Sequence, residues 1–170
     1  MLSTNPPLPA CIPWRVEPAD LASAEVQQLL AELSQVLLGL TGDAGTSSFN
    51  ADDLNQPRAA LLVARDATGL AGACGVLRPL EGDGSHRCGE IKRMYARSGS
   101  QGAGSAVLLA LERQASAWGY ERLQLATRRV NARAVAFYLA RGYAECAPYG
   151  RYVGRETSIC LSKALTALVG

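Results

Sequence analysis

Apolar positions along the chain follow two rhythms. Residues 59–65 form a continuous apolar run that closes in the turn Asp66-Ala-Thr-Gly69, and residues 70–77 form a second such run. Together they predict a hairpin. Gly72 and Gly75 weaken its second strand but permit another backbone to approach closely. After a turn over 81–85, residues 88–96 read as a third strand. Upstream, residues 11–16 read as a short strand, with Pro13 favouring an edge. A helix follows, with Val26, Leu30, Leu33, Leu37 and Leu40 at helical spacing and Gln27, Gln28, Glu32 and Gln35 on other faces. Asp20 or Ser23 caps it and Gly42 stops it. Residues 41–58 turn to Gly, Ser, Asp and Asn, which predicts a long loop with one helical turn around Asp52 and Asp53. A loop of that length beside a compact core is more often functional or mobile than inert.

The second half alternates. A Gly/Ser loop over 98–104 leads into a helix with the apolar stripe Leu108, Leu111, Ala115 and Trp118, ended by Gly119. Residues 121–127 read as a strand. Asn131 caps a further helix with an expected buried stripe of Ala132, Val135, Ala136 and Leu139, and Gly142 ends it. Residues 143–146 and 157–162 read as closing strands. The order is strand, helix, three strands, helix, strand, helix, two strands. It predicts an α/β layered fold, a mixed and mostly antiparallel twisted sheet with helices on both faces. Residues 1–10 are expected as a flexible Pro-rich tail and 11–170 as a single domain.

Composition narrows the classes. A chain of 170 residues, 48% hydrophobic, buries a real core and suits one domain. Seventeen Lys+Arg against 15 Asp+Glu gives no support to a nucleic-acid binder working by bulk charge. No apolar run approaches the ~18 residues that span a bilayer, so no membrane association is expected. The first ten residues carry no cation ahead of an apolar stretch, so no secretory signal is expected. Cys11, Cys74, Cys88, Cys146 and Cys160 are scattered without CxxC spacing, and His86 is the one histidine. Neither a disulfide framework nor a metal site is expected, and a reducing cytoplasm is the expected location. A His86–Cys88 nucleophilic pair lacks an orienting acid. Cys74 and Cys160 sit in apolar strands, as buried small hydrophobes do.

The strongest local signal is Gln101-Gly-Ala-Gly-Ser-Ala106, where small residues stand between a strand and a helix. A helix N-terminus has unpaired N–H donors and a favourable dipole, which suit a phosphate. A glycine-rich turn before a surface helix would read the same way. No Lys-Ser/Thr follows the glycines and GxGxxG is absent, which argues against nucleoside triphosphates and dinucleotides.

Three segments in order resemble the GNAT superfamily of N-acetyltransferases: Glu90-Ile-Lys-Arg-Met-Tyr95, then Gln101-x-x-Gly104-x-Ala106, then Asn131-x-x-Ala134-x-x-Phe137-Tyr138-x-x-x-Gly142-Tyr143. The resemblance covers roughly residues 59 to 163. It implies a GNAT-like sheet with a splayed central strand pair and acetyl-CoA as acyl donor. The pantetheine arm would run between the strand ending near Tyr95 and the strand ending near Thr127, pairing with backbone groups of Met94, Tyr95 and Ala96. Amides of Gln101, Gly102, Ala103, Gly104, Ser105 and Ala106 would take the pyrophosphate. A register anchored on Gly102-x-Gly104 uses the same loop. Asn131 would reach the coenzyme.

Acetyl transfer to an amine needs a neutral amine, a held carbonyl and a protonated leaving thiol. Tyr138 suits the general acid, because its ordinary pKa of about 10 lies above a thiol's ~8.5. It lies seven residues, two helical turns, from Asn131, so the two share a face. It would also touch the coenzyme; packing beside Phe137 is the plainer alternative. Glu90 is the candidate general base, directly or through water, unless it pairs with a cation such as Lys92. Tyr149 and Tyr152 would wall the acceptor pocket or half-fill a turn. Asp52 and Asp53 are weaker candidates for holding a cationic amine. Arg97, Arg128, Arg129 and Arg133 would meet phosphates or form a solvated face. The acceptor is expected to be a small-molecule or peptide amine. Closing strands in such folds often pair between subunits, so a homodimer is an open expectation. A non-catalytic acyl-CoA-binding sensor or scaffold is the alternative function, and a domain binding another phosphate ligand is a third.

Overall fold

The computed structural model describes residues 13–167; the expected tail over 1–10 and Cys11 lie outside them. The elements are β1 (Arg15–Pro18), α1 (Ala24–Thr41), β2 (Ala60–Arg65), β3 (Ala71–Pro79), β4 (Cys88–Ala96), α2 (Ala103–Ala117), β5 (Arg122–Arg128), α3 (Ala132–Leu139), β6 (Ala144–Glu145) and β7 (Ser158–Ala164). Their order matches the sequence reading. Short 3-10 turns at Thr46–Ser48 and Ala51–Leu54 punctuate the loop before β2, and another at Gly150–Tyr152 precedes β7.

The seven strands lie in the order β1-β2-β3-β4-β5-β7-β6. Every pairing is antiparallel except β4 with β5. Side chains alternate across the sheet. Leu61 and Val63 join Val26 and Leu29 of α1 on one face. Leu62 and Ala64 join Val107, Leu108, Leu111 and Ala115 of α2 on the other, where Tyr138 of α3 also packs. β3 is therefore buried without a break from Ala71 to Arg78, as a strand covered on both sides must be.

Three elements depart from expectation. Among the described residues the first strand runs over 15–18, against the expected 11–16: Pro13 and Trp14 precede it, Arg15 to Pro18 is the stretch that pairs with Arg65 to Leu62, and Cys11 and Ile12 lie outside the described residues. In α1 the inner residues are Val26, Leu29 and Leu33, while Leu40 is 46% exposed; full burial ends at Leu33, just past the middle of the helix. In α3, Ala132, Ala136 and Leu139 face solvent, while Tyr138 is buried and Ala134, Val135 and Phe137 pack partly against the core. The aromatic rings carry far more apolar area than the alanines and set the inner face. Tyr138 stacks edge-on against Phe137 at 5.2 Å and Tyr143 at 5.5 Å between ring centres.

Candidate active site

β4 and β5 pair through three positions, Cys88↔Arg122, Gly89↔Leu123 and Glu90↔Gln124, and then part. Beyond that point β4 continues against β3 and β5 against β7, so the edges that face each other carry no strand partner. A bulge in β4 accompanies the parting. Cys74 opposes Tyr95 and Val76 opposes Lys92, so Gly75 alone faces both Arg93 and Met94. Arg93 takes a left-handed backbone, φ +51°, which costs about 1–2 kcal/mol in a residue with a Cβ. Its guanidinium compensates by donating to the Ser34 hydroxyl at 2.9 Å and to the carbonyls of Leu30 and Ala44. Gly75 must be glycine because a Cβ would strike Met94, Leu111 and Val107.

At the parting point, the buried side-chain oxygen of Gln124 has no hydrogen-bond partner among the described residues. The cleft that opens beyond is lined from β4 by Ile91 to Met94, from β5 by Leu125 to Arg128, and from α3 by Asn131, Ala134 and Tyr138. Asn131 caps α3 by accepting from the Ala134 N–H at 3.3 Å. Its spacing from Tyr138 puts both residues on the cleft. Tyr138 is 6% exposed, and its hydroxyl has no hydrogen-bond partner among the described residues. Burial pushes its phenol well above the ordinary tyrosine range.

The N-terminus of α2 stands apart from this cleft. Gly102 is the cap residue, in the left-handed conformation (φ +83°) and with no side-chain cap. The N–H groups of Gly104 and Ser105 have no hydrogen-bond partner among the described residues. Two side chains that sequence reading missed hold this end. Trp14 donates from Nε1 to the Gln101 carbonyl at 2.8 Å. Arg141 stacks 3.7 Å from the Phe137 ring centre and donates through Nε to Ser105 Oγ at 3.0 Å. Arg141 lies inside the Tyr138-to-Gly142 motif, and the one available signal was its charge. Gly104 also has a packing reason, since a Cβ there would lie 3.3 Å from Ala96 and 3.6 Å from Phe137.

Glu90 does not line the cleft. It is 2% exposed and accepts from Arg78 Nε at 2.9 Å and Nη2 at 2.7 Å, and from the Tyr149 hydroxyl at 2.7 Å. Its main ion pair is with Arg78, while Lys92 stands 4.0 Å away. Arg78 also binds Asp53, so that loop carboxylate is committed too. Tyr149 lies behind the cleft, and burial together with Glu90 pushes its phenol far up. Tyr152 does line the cleft; it accepts from Lys92 Nζ at 2.8 Å and stacks on Tyr149 at 5.4 Å. Tyr95 packs toward α1. Arg97 is paired with Glu32, Arg129 with Glu145 and Arg128 with Asp43. Cys74 is buried, its thiol pushed up to about 12.

Among the described residues, no helix is long and apolar enough to cross a membrane, and no group of three or more His, Cys, Asp or Glu is placed to hold a metal ion.

The structure thus holds a parted central strand pair, a buried phenol on the wall of the cleft between them and, apart from it, an uncapped helix N-terminus. Residues 26–143 match the family model described as Acetyltransferase (GNAT) family. An "IAA acetyltransferase" of Azospirillum brasilense is 30% identical over 142 residues, spanning 82% of this chain and 90% of the relative. The chain therefore belongs to the GNAT acetyltransferase family. Solved structures agree on the fold. A Klebsiella pneumoniae chain provisionally assigned as an acyl-CoA N-acyltransferase superposes with TM-score 0.73 at 24% identity, covering 90% of this chain and 98% of that one. A phosphinothricin acetyltransferase from Sinorhizobium meliloti, solved with AcCoA, superposes with TM-score 0.68 at 14% identity, covering 92% and 91%. The expected splayed mixed sheet with helices on both faces is the architecture observed, and acyl-CoA-dependent acetyl transfer is the activity the family supports.

Proposed function

We propose that this chain transfers the acetyl group of acetyl-CoA to a primary amine by direct attack. The observation that carries the reading is the parting of β4 from β5 beyond Glu90 and Gln124, with Tyr138 on the wall of the resulting cleft. The unpaired inner edge of β4 suits the pantetheine arm as an added strand, with backbone groups of Met94, Tyr95 and Ala96 as its partners. The free amides of Gly104 and Ser105, with the rest of the loop 101–106, suit the pyrophosphate. Asn131 faces the same cleft from the α3 cap.

Bound acetyl-CoA supplies the thioester; the acceptor nitrogen forms the new C–N bond, the C–S bond breaks, and the amine's proton leaves to a base. Tyr138 Oη holds the proton that the departing thiolate requires, and burial keeps it there at neutral pH. Glu90 is the proposed base at one remove, because its carboxylate stands behind the cleft wall; a proton reaches it through an intervening water or through Tyr149. Tyr152 is the aromatic that meets the acceptor, and Tyr149 supports it from behind.

The full engagement of Glu90 by Arg78 and Tyr149 favours a second reading, an acyl-CoA-binding sensor without turnover. Free-thiol release from acetyl-CoA across a panel of amines separates the two. Release with at least one amine supports the transferase, and silence across the panel with coenzyme A binding confirmed by calorimetry supports the sensor. Size-exclusion chromatography with light scattering on the purified protein establishes whether it is a monomer or a dimer.

A further inference from the structure

The cleft is far more cationic than the chain that forms it. The whole sequence carries a net charge of +2. Lys92, Arg93, Arg128, Arg151 and Arg155 all line the cleft, against one lining carboxylate, Asp43. Asp43 is already taken: the Gly45 N–H and then Arg128 hold it below the usual carboxylate range, and Arg128 lies 3.3 Å from it. Arg93 is spent on α1 and the Ala44 carbonyl. Lys92 is turned to Tyr152. Arg151 donates to the Ser47 carbonyl at 2.7 Å and to its hydroxyl at 3.2 Å; it forms no ion pair among the described residues, though its charge also helps hold Asp43 down. The Arg155 guanidinium makes no hydrogen bond or ion pair among the described residues, its backbone N–H and carbonyl being paired with Tyr152 and Ser158.

Guanidinium groups in a cleft with their charge uncompensated call for an anion, and their planar fork fits a carboxylate or phosphonate with two parallel hydrogen bonds. Like charge also disfavours the ammonium form of an amine brought beside them. The same cations would therefore anchor an acid and help keep its amine neutral for attack, which matters where the nearest candidate base is already engaged. A polyamine or an aminoglycoside would meet five lining cations there against the single carboxylate of Asp43.

Resting on the transferase reading above, we infer that the acceptor is an amine bearing an anionic oxyacid group, a carboxylate or phosphonate, held in the part of the cleft lined by Arg151 and Arg155.

The test measures thiol release from acetyl-CoA with glycine, phenylalanine and glutamate, with their carboxamides, with their aminophosphonate counterparts, and with spermidine. The expected result is a kcat/KM at least about tenfold higher for the best acid than for its own amide, with spermidine lowest. The acid and phosphonate arms identify which oxyanion is preferred. In Arg155→Ala and Arg151→Ala proteins that keep the parent's circular dichroism, the acid-to-amide ratio collapses toward one through a raised KM for the acid. Amides or spermidine used as well as the acids would overturn the inference and leave the transferase standing. An acid-to-amide ratio that survives both substitutions would also overturn it. Silence with every amine, while coenzyme A still binds, would remove the transferase reading and this inference with it.

Discussion

Tyr149 donates its hydroxyl hydrogen to Glu90 Oε2 at 2.7 Å while Arg78 grips the other oxygen of the same carboxylate with two donors. The carboxylate and the guanidinium are buried, Glu90 2% and Arg78 8% exposed, and Tyr149 is half-buried. Such a pair contributes little against a well-packed apolar replacement, but breaking one side of it strands a charge. Glu90→Gln is expected to lower stability by about 3 kcal/mol, read as a shifted urea midpoint at unchanged slope. A midpoint equal to the parent's would mean that Asp53 alone satisfies Arg78.

Tyr138→Phe separates chemistry from structure cleanly. The hydroxyl meets no partner among the described residues, so its removal leaves no group orphaned and is expected to change stability by less than about 0.5 kcal/mol. Loss of a general acid lowers kcat by about 100-fold or more, with coenzyme A affinity nearly unchanged. Normal turnover in the variant would remove Tyr138 from the chemistry.

Tyrosine phenols raised by burial give the fold an alkaline weakness, Tyr138, Tyr143 and Tyr149 most of all. Burial raises Tyr138, and burial with neighbouring carboxylates raises Tyr143 (Glu112) and Tyr149 (Glu90). A folded-state pKa above the unfolded value means that the folded chain keeps protons the unfolded chain has lost. The stability these groups contribute is full below the ordinary tyrosine pKa of about 10 and falls as pH rises beyond it. Denaturation midpoints are expected to hold from pH 8 to 9 and to drop from about 10 upward. Tyr143→Phe should flatten that drop, and an unchanged slope in the variant would count against the assignment.

The sheet was legible in the sequence because each strand carries its own evidence. The hairpin over 59–77, the strand 88–96 and the strand–helix alternation after Gly104 all follow from periodicity and turn residues. The splayed seam was not legible from periodicity. It is accompanied by a bulge, two residues of β4 against Gly75, and one extra residue leaves no mark on an apolar pattern; the family resemblance supplied it. Asn131, Tyr138, Met94 and Tyr152 do meet at one cleft. Glu90 and Tyr149 do not, because their positions on strand and loop were readable while the reach of Arg78 from β3 was not. The α3 stripe failed for a related reason: eight residues give barely two turns of periodicity, and two adjacent aromatics outweigh the alanines that a regular stripe would bury.

The bulge itself makes an expectation about stability. A Cβ at Gly75 would meet Met94, Leu111 Cδ1 at 2.9 Å and Val107 Cγ1 at 3.0 Å, side chains held between β3, β4 and α2. Relief requires α2 to lift or Met94 to swing into the cleft. Gly75→Ala is expected to cost about 2 kcal/mol by overpacking, a fall in Tm of roughly 4–8 °C for a chain of this size. A Tm within a degree of the parent's would mean that Met94 yields freely.

Arg141 tests the other end of the site. Its guanidinium bridges the Phe137 ring and Ser105 Oγ beside the uncapped amides of Gly104 and Ser105, so it adds a full charge to the partial charge of the helix end. If the loop 101–106 holds the coenzyme's phosphates, Arg141→Gln should weaken coenzyme A binding by about tenfold, measured by calorimetry, because a charge-assisted contact is lost. The parent's affinity should fall with added salt more steeply than the variant's, since part of the attraction is screened. Equal salt slopes in the two proteins would confine Arg141 to clamping α3 against α2 and leave phosphate binding to the backbone amides alone.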